Sequence, residues 1–281
     1  MNDKAFLSES IRLSNTDFRR LSTFIYDTFG IYLPEKKYYL LQNRLLSRLQ
    51  KLGYTSFSDY ADFVLKQGEH GDEAFAMMDA VSTNKTEFFR EKKHFEFLEK
   101  ELLPQFYGQY IKVWSAGCSS GEEVYSLAML LNDEKQAGHI SNFVVYGNDI
   151  SKNILEKAVK AIYPYRAVAS IPPGYRKKYL LRSRNKDNQT IRIVPELRAK
   201  TNFVWENLVG NRDTMPTGFQ FVFCRNTLIY FDKETQNKVV SRLLKHLAPK
   251  GYLILGHSES LINNMPKGLK MVYPTVYQKE T

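Results

Sequence analysis

The chain has 281 residues, 43% of them hydrophobic, enough to bury one large core or two smaller ones. No apolar run reaches membrane-spanning length and no secretory signal precedes Leu13; the two cysteines, Cys118 and Cys224, lack metal-ligand spacing and are too few for a disulfide framework, so a reducing cytoplasm is the expected compartment. The net charge of +10 is uneven: Met1 to Ala80 carries ten Lys and Arg against eleven Asp and Glu, whereas Arg166 to Lys200 carries ten against two, which weakens a general nucleic-acid reading.

The first stretch reads as helices. Ser14 suits the N-cap of a helix carrying Phe18, Leu21, Ile25 and Phe29, and Gly30 would end it. A second helix is expected from about Glu35 to Leu52, closed by Gly53, with Leu41, Leu45, Leu49 and Leu52 on its apolar face. Lys37, Arg44, Arg48 and Lys51 share another face, and no acid occurs between Lys36 and Ser58. A solvated face is the ordinary explanation of such a stripe; the missing acid points instead to a surface that recognises negative charge. As exposed charges, Arg44 and Arg48 should tolerate reversal without loss of fold. Third and fourth helices are expected from about Ser56 to Lys66 and from Asp72 to Met78, with no β pattern among them.

Val81 to Leu98 is polar in its first half and helical in its second, with Phe89, His94, Phe95 and Leu98 available for packing. Asn84, Thr86 and Arg90 precede the next motif and could fold back over a ligand there. That motif, IKVWSAGCSSGEEVY from Ile111 to Tyr125, reads as a buried strand, a small-residue turn and a helix with Val124, Leu127, Ala128 and Leu131 inward. It is the layout of the first βα unit of a nucleotide-binding α/β fold, in which small residues such as Gly117 let the backbone approach a ligand. An ordinary tight turn has the same pattern. The second apolar run, Phe143 to Asp149, shifts the balance by ending in an acid, because an acid at the tip of strand 2 accepts hydrogen bonds from ribose hydroxyls. A helix-capping acid before Ser151 is the other reading of Asp149.

A helix with Ile154, Ala158 and Ile162 inward follows, and Pro164 closes it. Residues 175 to 195 carry a basic short-strand pattern with a hairpin turn near Asp187-Asn188, an excursion from the main sheet. The sheet resumes with NFVWENL and with FQFVFCRNTLIYF, which runs into Arg225, Asn226 and then Tyr230. A helix from Glu234 to Leu247, the strand YLILGHS and a closing pair, LKMVY and TVYQK, complete a doubly wound sheet with an antiparallel edge. The expected organisation is a helical domain over residues 1–80, a linker helix over 81–100 and an α/β domain over 101–281, with an inserted β-subdomain near 165–200.

In chain order, STNKTEFFR, WSAGCSSGEE, Asn148-Asp149 at the second strand tip, Asn207-Leu208, FCRNTLIYF and GHSES resemble the chemotaxis-receptor glutamate methyltransferases, the CheR-type family. The resemblance covers nearly the whole chain. It implies a class I, Rossmann-like methyltransferase domain behind a small helical one, acting in the cytoplasm. It implies methyl transfer from S-adenosylmethionine to glutamates on the cytoplasmic helices of chemoreceptors, with S-adenosylhomocysteine as product and no metal. Cofactor contacts would fall on Asn84, Thr86, Arg90, Gly117, Glu123, Asp149, Asn207, Leu208, Arg225 and Asn226. Arg90 and Tyr230 would position the reacting groups, and Lys37, Arg44, Arg48 and Lys51 would meet the acidic receptor. Ser115 departs from the acid that class I loops place first, and Gly117-Cys118 stands where a plainer small residue would serve. In some family members the inserted subdomain docks a receptor C-terminal tail; residues 190 to 194 are the strand edge expected to accept one. Two other readings remain open: a nucleic-acid methyltransferase whose basic excursion grips phosphate, and a non-catalytic S-adenosylmethionine sensor.

Overall fold

Among the described residues, four α-helices build the first part of the protein, and local signals start and stop most of them. In the computed structural model, which describes residues 11–69, 71–185 and 189–280, the Ser14 hydroxyl accepts from the Asp17 amide to open α1 (Asn15–Phe29), and left-handed Gly30 closes it. A 3-10 turn at Glu35–Lys37 leads into α2 (Tyr38–Leu52), closed by left-handed Gly53. Ser56 caps α3 (Phe57–Gln67), and α4 (Asp72–Val81) completes the set. Leu21, Ile25, Leu41, Leu45, Leu49, Tyr60 and Met77 are fully buried between them. Leu52, expected on the apolar face, is instead exposed at the end of α2. The chain divides into two units, one of residues up to Thr83 with Tyr230–Thr235 and the other of Asn84–Ile229 and Gln236–Thr281. Within the first unit the Tyr26 hydroxyl donates to Asp232 at 2.8 Å, and the Tyr32 amide donates to the Tyr230 carbonyl at 2.8 Å.

The second unit is an α/β fold. The linker turns into α5 (Lys92–Phe97), and β1 (Tyr110–Ala116) runs through the small-residue loop into α6 (Glu122–Gln136). Then come β2 (Asn142–Asp149), α7 (Lys152–Lys160), β3 (Ile162–Pro164), α8 (Pro173–Tyr179), β4 (Leu180–Arg182), β5 (Thr190–Ile193), α9 (Pro195–Arg198), β6 (Thr201–Trp205) and β7 (Phe219–Cys224). Helix α10 (Lys233–His246), β8 (Leu247–Leu255), β9 (Leu269–Tyr273) and β10 (Val276–Lys279) finish the chain. The main sheet has the order β6-β2-β1-β7-β8-β10-β9. Its first five strands are parallel, and β10 lies antiparallel between β8 and β9. Successive strands step one way from β1 to β2 and β6, and the other way from β1 to β7 and β8. That reversal beside β1 is the switch point at which open α/β sheets bind ligands, beyond the carboxyl ends of the strands.

The excursion differs from its sequence reading in two ways. The helix expected to carry Ile162 inward ends at Ala161, which is left-handed; Ile162 opens β3 and is 47% exposed. Three residues are too few for a periodic signal, and the pairing of β3 with β5 decides their conformation. The stretch at 190–194, expected to be an edge, holds β5, the central strand of a three-stranded antiparallel sheet ordered β3-β5-β4. The free edges of that sheet therefore belong to β3 and β4. The turn expected near Asp187-Asn188 lies outside the described residues.

Candidate active site

The loop after β1 is held by the strand beside it. The amides of Gly117 and Cys118 both donate to the Asn148 carbonyl, at 3.0 and 2.8 Å. Gly117 has φ 78°, and a Cβ there would collide with the Thr227 side chain, so only glycine fits. Asp149 closes the loop from the other side: its carboxylate accepts from the amides of Ser119 at 2.9 Å and Ser151 at 3.0 Å. The capping reading of Asp149 thus has a physical basis in the Ser151 bond, while the Ser119 bond ties the same acid to the loop. Below the site, buried Asn148 accepts from the Trp114 indole at 2.8 Å and donates to the Glu206 carbonyl at 3.0 Å, joining β1, β2 and the end of β6.

Arg225, at the end of β7, is the electrostatic centre of this region. Its side chain is 1% exposed. It donates to Glu123 of α6 at 2.9 Å, to Glu91 of the linker at 3.0 Å and to the Arg90 carbonyl. Glu123 in turn accepts from the Ser115 hydroxyl at 2.8 Å. Ser115 therefore does not leave the loop without an acid: the carboxylate arrives from the first turn of α6. Burial opposes ionisation of Glu91, but the Arg225 guanidinium and His257 together outweigh it and hold the acid below its usual range. His94 is pushed down to about 4, first by burial and then by the nearby Arg225 charge, so it is neutral at pH 7. Glu91, His94 and His257 bring their ligand atoms within 4.8 Å of one another. A cation among them would sit against the guanidinium already bound to Glu91, an arrangement that electrostatics disfavours.

Two backbone features frame Arg90. Phe89 and Glu91 have φ values of 53° and 55°, a conformation that non-glycine residues hold only where their surroundings impose it. The Phe89 amide donates to Ser126 of α6 at 2.9 Å, and the Arg225 contacts fix the next two residues. Arg90 itself donates to the Lys85 carbonyl at 2.9 Å. Asn84 lies against the glycine loop, its carbonyl accepting from the Ser119 hydroxyl at 3.3 Å, and half-buried Thr86 lies between them in the linker.

The turn after β7 depends on a residue that the GHSES motif contains but to which sequence reasoning gave no role. Glu259 is 5% exposed and accepts from the amides of Asn226 and Gly256, both at 2.8 Å, and of Ile229 at 3.3 Å. Burial raises its pKa and these amide bonds lower it, burial prevailing. The clamp holds Asn226 at φ 57°. Gly256 has no alternative, since a Cβ there would meet the Glu259 carboxylate and Asn226. Asn207 and Leu208 lie in the irregular loop that follows β6. Glu91 was also missed; it stands directly after Arg90, one residue beyond the end of the STNKTEFFR motif.

The residues assigned to the acidic receptor belong to the first unit. Lys37 and Lys51 reach solvent at the two ends of α2. Arg48 is bound bidentately by Glu73, which is 4% exposed and also accepts from the Tyr60 hydroxyl at 2.8 Å. Arg44 donates to the carbonyls of Ala80, Val81 and Ser82 and to the Thr83 hydroxyl, which caps the end of α4. The acid missing from α2 is supplied by α4, so charge reversal at Arg48 cannot be neutral to the fold, contrary to expectation. Tyr230 is half-buried, and its hydroxyl donates to the Thr83 carbonyl at 2.9 Å.

The sheet order, the glycine turn at its switch point and the acid ending β2 define a Rossmann-like class I methyltransferase fold. A family model described as "CheR methyltransferase, SAM binding domain" matches residues 84–277, and one described as "CheR methyltransferase, all-alpha domain" matches residues 16–82. The chain belongs to the CheR methyltransferase family, and its second unit is the S-adenosylmethionine-binding methyltransferase domain. The break between the two matches falls where the units divide, after Thr83. Among curated relatives, the chemotaxis protein methyltransferase of Borreliella burgdorferi is 34% identical over 96% of this chain and 96% of its own. Those of Escherichia coli and Klebsiella aerogenes are 35% and 38% identical over 96% and 91% of this chain, and 93% and 87% of their own.

Proposed function

We propose that the chain methylates glutamate side chains on the cytoplasmic helices of chemoreceptors, forming glutamyl methyl esters in chemotaxis adaptation. The observation that carries this reading is Arg225, whose one buried guanidinium joins the linker, the helix after the glycine loop and the end of β7. The relatives' shared name, chemotaxis protein methyltransferase, supports the setting.

The residues present suit S-adenosylmethionine. Gly117, at φ 78° and packed on Thr227, keeps the loop after β1 tight at the switch point, and Asp149 ends β2 with the carboxylate that a ribose diol requires. Asn84, Thr86, Gly117, Glu123, Asn207, Leu208, Arg225 and Asn226 complete the set that would hold it, with S-adenosylhomocysteine as product. When bound, the cofactor supplies an activated methyl group and its own leaving group. A glutamate acceptor is already ionised near neutrality, so the chain needs no general base and contributes positioning. Arg90 suits a carboxylate, whether of cofactor or substrate, through its planar fork. Tyr230 is the gentler partner for the acceptor, and its hydroxyl would exchange Thr83 for the substrate carboxylate. Lys37 and Lys51 are the cations of the α2 stripe left to meet an acidic receptor helix. A receptor-tail peptide would add to the inserted sheet along β4, beside Arg182 and exposed Leu181.

Incubation with labelled S-adenosylmethionine and receptor cytoplasmic fragments tests the reading. Base-labile label on glutamate is the expected result; label that is base-stable, or found on nucleic acid, would overturn it.

A further inference from the structure

The loop from Glu206 to Asp213 has no strand or helix to satisfy its carbonyls, yet it carries Asn207 and Leu208. Four of those carbonyls go to one side chain. Arg242 of α10 is 10% exposed at its side chain, and its Nη1 donates to the carbonyls of Asn207 at 3.0 Å, Leu208 at 3.1 Å and Gly210 at 2.9 Å. Its Nη2 donates to the Glu206 carboxylate and the Arg212 carbonyl, and lies 3.4 Å from Asp213. Glu206 is fully buried at its side chain and accepts from the Thr214 amide at 3.1 Å through its other oxygen. The loop is thus wrapped around a guanidinium, whose donors lie in a fixed plane that a lysine ammonium does not reproduce.

We propose that Arg242 is a positioning residue for the cofactor pocket: it sets the path of the 206–213 loop and so places Asn207 and Leu208 against the cofactor. This rests on the assignment of those two residues to S-adenosylmethionine made above. Arg242 acts through the loop backbone and touches no reacting atom.

The test is calorimetric binding of S-adenosylhomocysteine to the full chain, with Arg242→Lys, Arg242→Gly and Asn207→Ala compared alongside thermal melts. Arg242→Lys is expected to remain folded and to lose affinity about tenfold or more, the scale of a lost charge-assisted hydrogen bond. Millimolar methylguanidinium added to Arg242→Gly is expected to restore affinity, a readout that general destabilisation would not give. A folded Arg242→Lys that binds as tightly as the parent, while Asn207→Ala weakens binding, overturns the positioning role alone. Unchanged affinity in Asn207→Ala overturns the cofactor assignment beneath it. Where neither Arg242 variant folds, Glu206→Gln carries the same comparison: weakened binding in a folded protein supports the role, and parental binding overturns it.

Discussion

Arg48 in the first unit and Arg225 in the second solve one physical problem in two ways. Both hold a guanidinium against carboxylates that are buried or half-buried. Arg48 meets one acid, Glu73, within a helical bundle, and the pair fixes how α2 lies on α4. Arg225 meets two acids and a carbonyl from segments distant in sequence, all flanking the glycine loop. A buried pair is weak evidence of net stabilisation, because desolvation offsets its attraction, so its value must lie in the geometry it imposes. Around Arg48 that geometry is packing. Around Arg225 it is the shape of a binding site.

Matched substitutions should separate the two. Arg48→Met strands the buried Glu73 and Arg225→Met strands the half-buried Glu91 and Glu123, and each should cost about 3–5 kcal/mol of stability in denaturant titrations. Only Arg225→Met should also abolish S-adenosylhomocysteine binding in protein that remains folded. Equal binding losses in the two would erase the distinction.

The Arg225 neighbourhood also predicts a pH dependence of stability. His94 falls from 6.5 to about 4 on folding, so between those values the unfolded chain binds a proton that the folded one refuses. Stability should therefore fall as pH drops through that window, by up to about 3 kcal/mol, and His94→Gln should flatten the profile. Glu91, depressed on folding, adds a loss in the same direction below its unfolded value. Melting temperatures across the window check the sign.

Asp149→Ala should weaken cofactor affinity by about 1.5–3 kcal/mol, the range for hydrogen bonds to a charged group. Retained affinity in calorimetry would leave Asp149 with the loop and the α7 cap alone. The smallest effect belongs to Tyr230→Phe, which removes the donor to Thr83 and should cost about 1 kcal/mol of stability. It should lower turnover with cofactor affinity intact, whereas Arg90→Ala should damage both; parallel losses in the two would refuse Tyr230 its separate role.

What could be read from the sequence divides along the same line. The cap at Ser14, the start of α3 near Ser56, the glycine closures at Gly30 and Gly53, the β1–loop–α6 unit and the closing β9–β10 pair were all legible, because each rests on neighbours in the chain. The partners of Arg48, Arg44 and Arg242 were not, since each lies on another element and leaves no periodic trace. For the same reason the acid-free face of α2 gave no sign that Glu73 would reach it. Strand β3 was too short to signal, and the central place of β5 follows from partners on both sides that spacing cannot reveal.

The first unit includes six residues, Tyr230–Thr235, that the chain reaches only after building most of the sheet. Tyr26 and Tyr32 take their partners there, at Asp232 and Tyr230. The helical part is therefore not a detachable module in the genetic sense. A chimera joined after Thr83 between two relatives would combine one parent's Tyr26 with the other's segment, and a truncated chain lacking the first 83 residues would take away the Tyr26, Tyr32 and Thr83 bonds to that segment. Recombination within this family should succeed where the 230–235 hexapeptide travels with the N-terminal helices, and modularity here is a property of two exchanged pieces, not one.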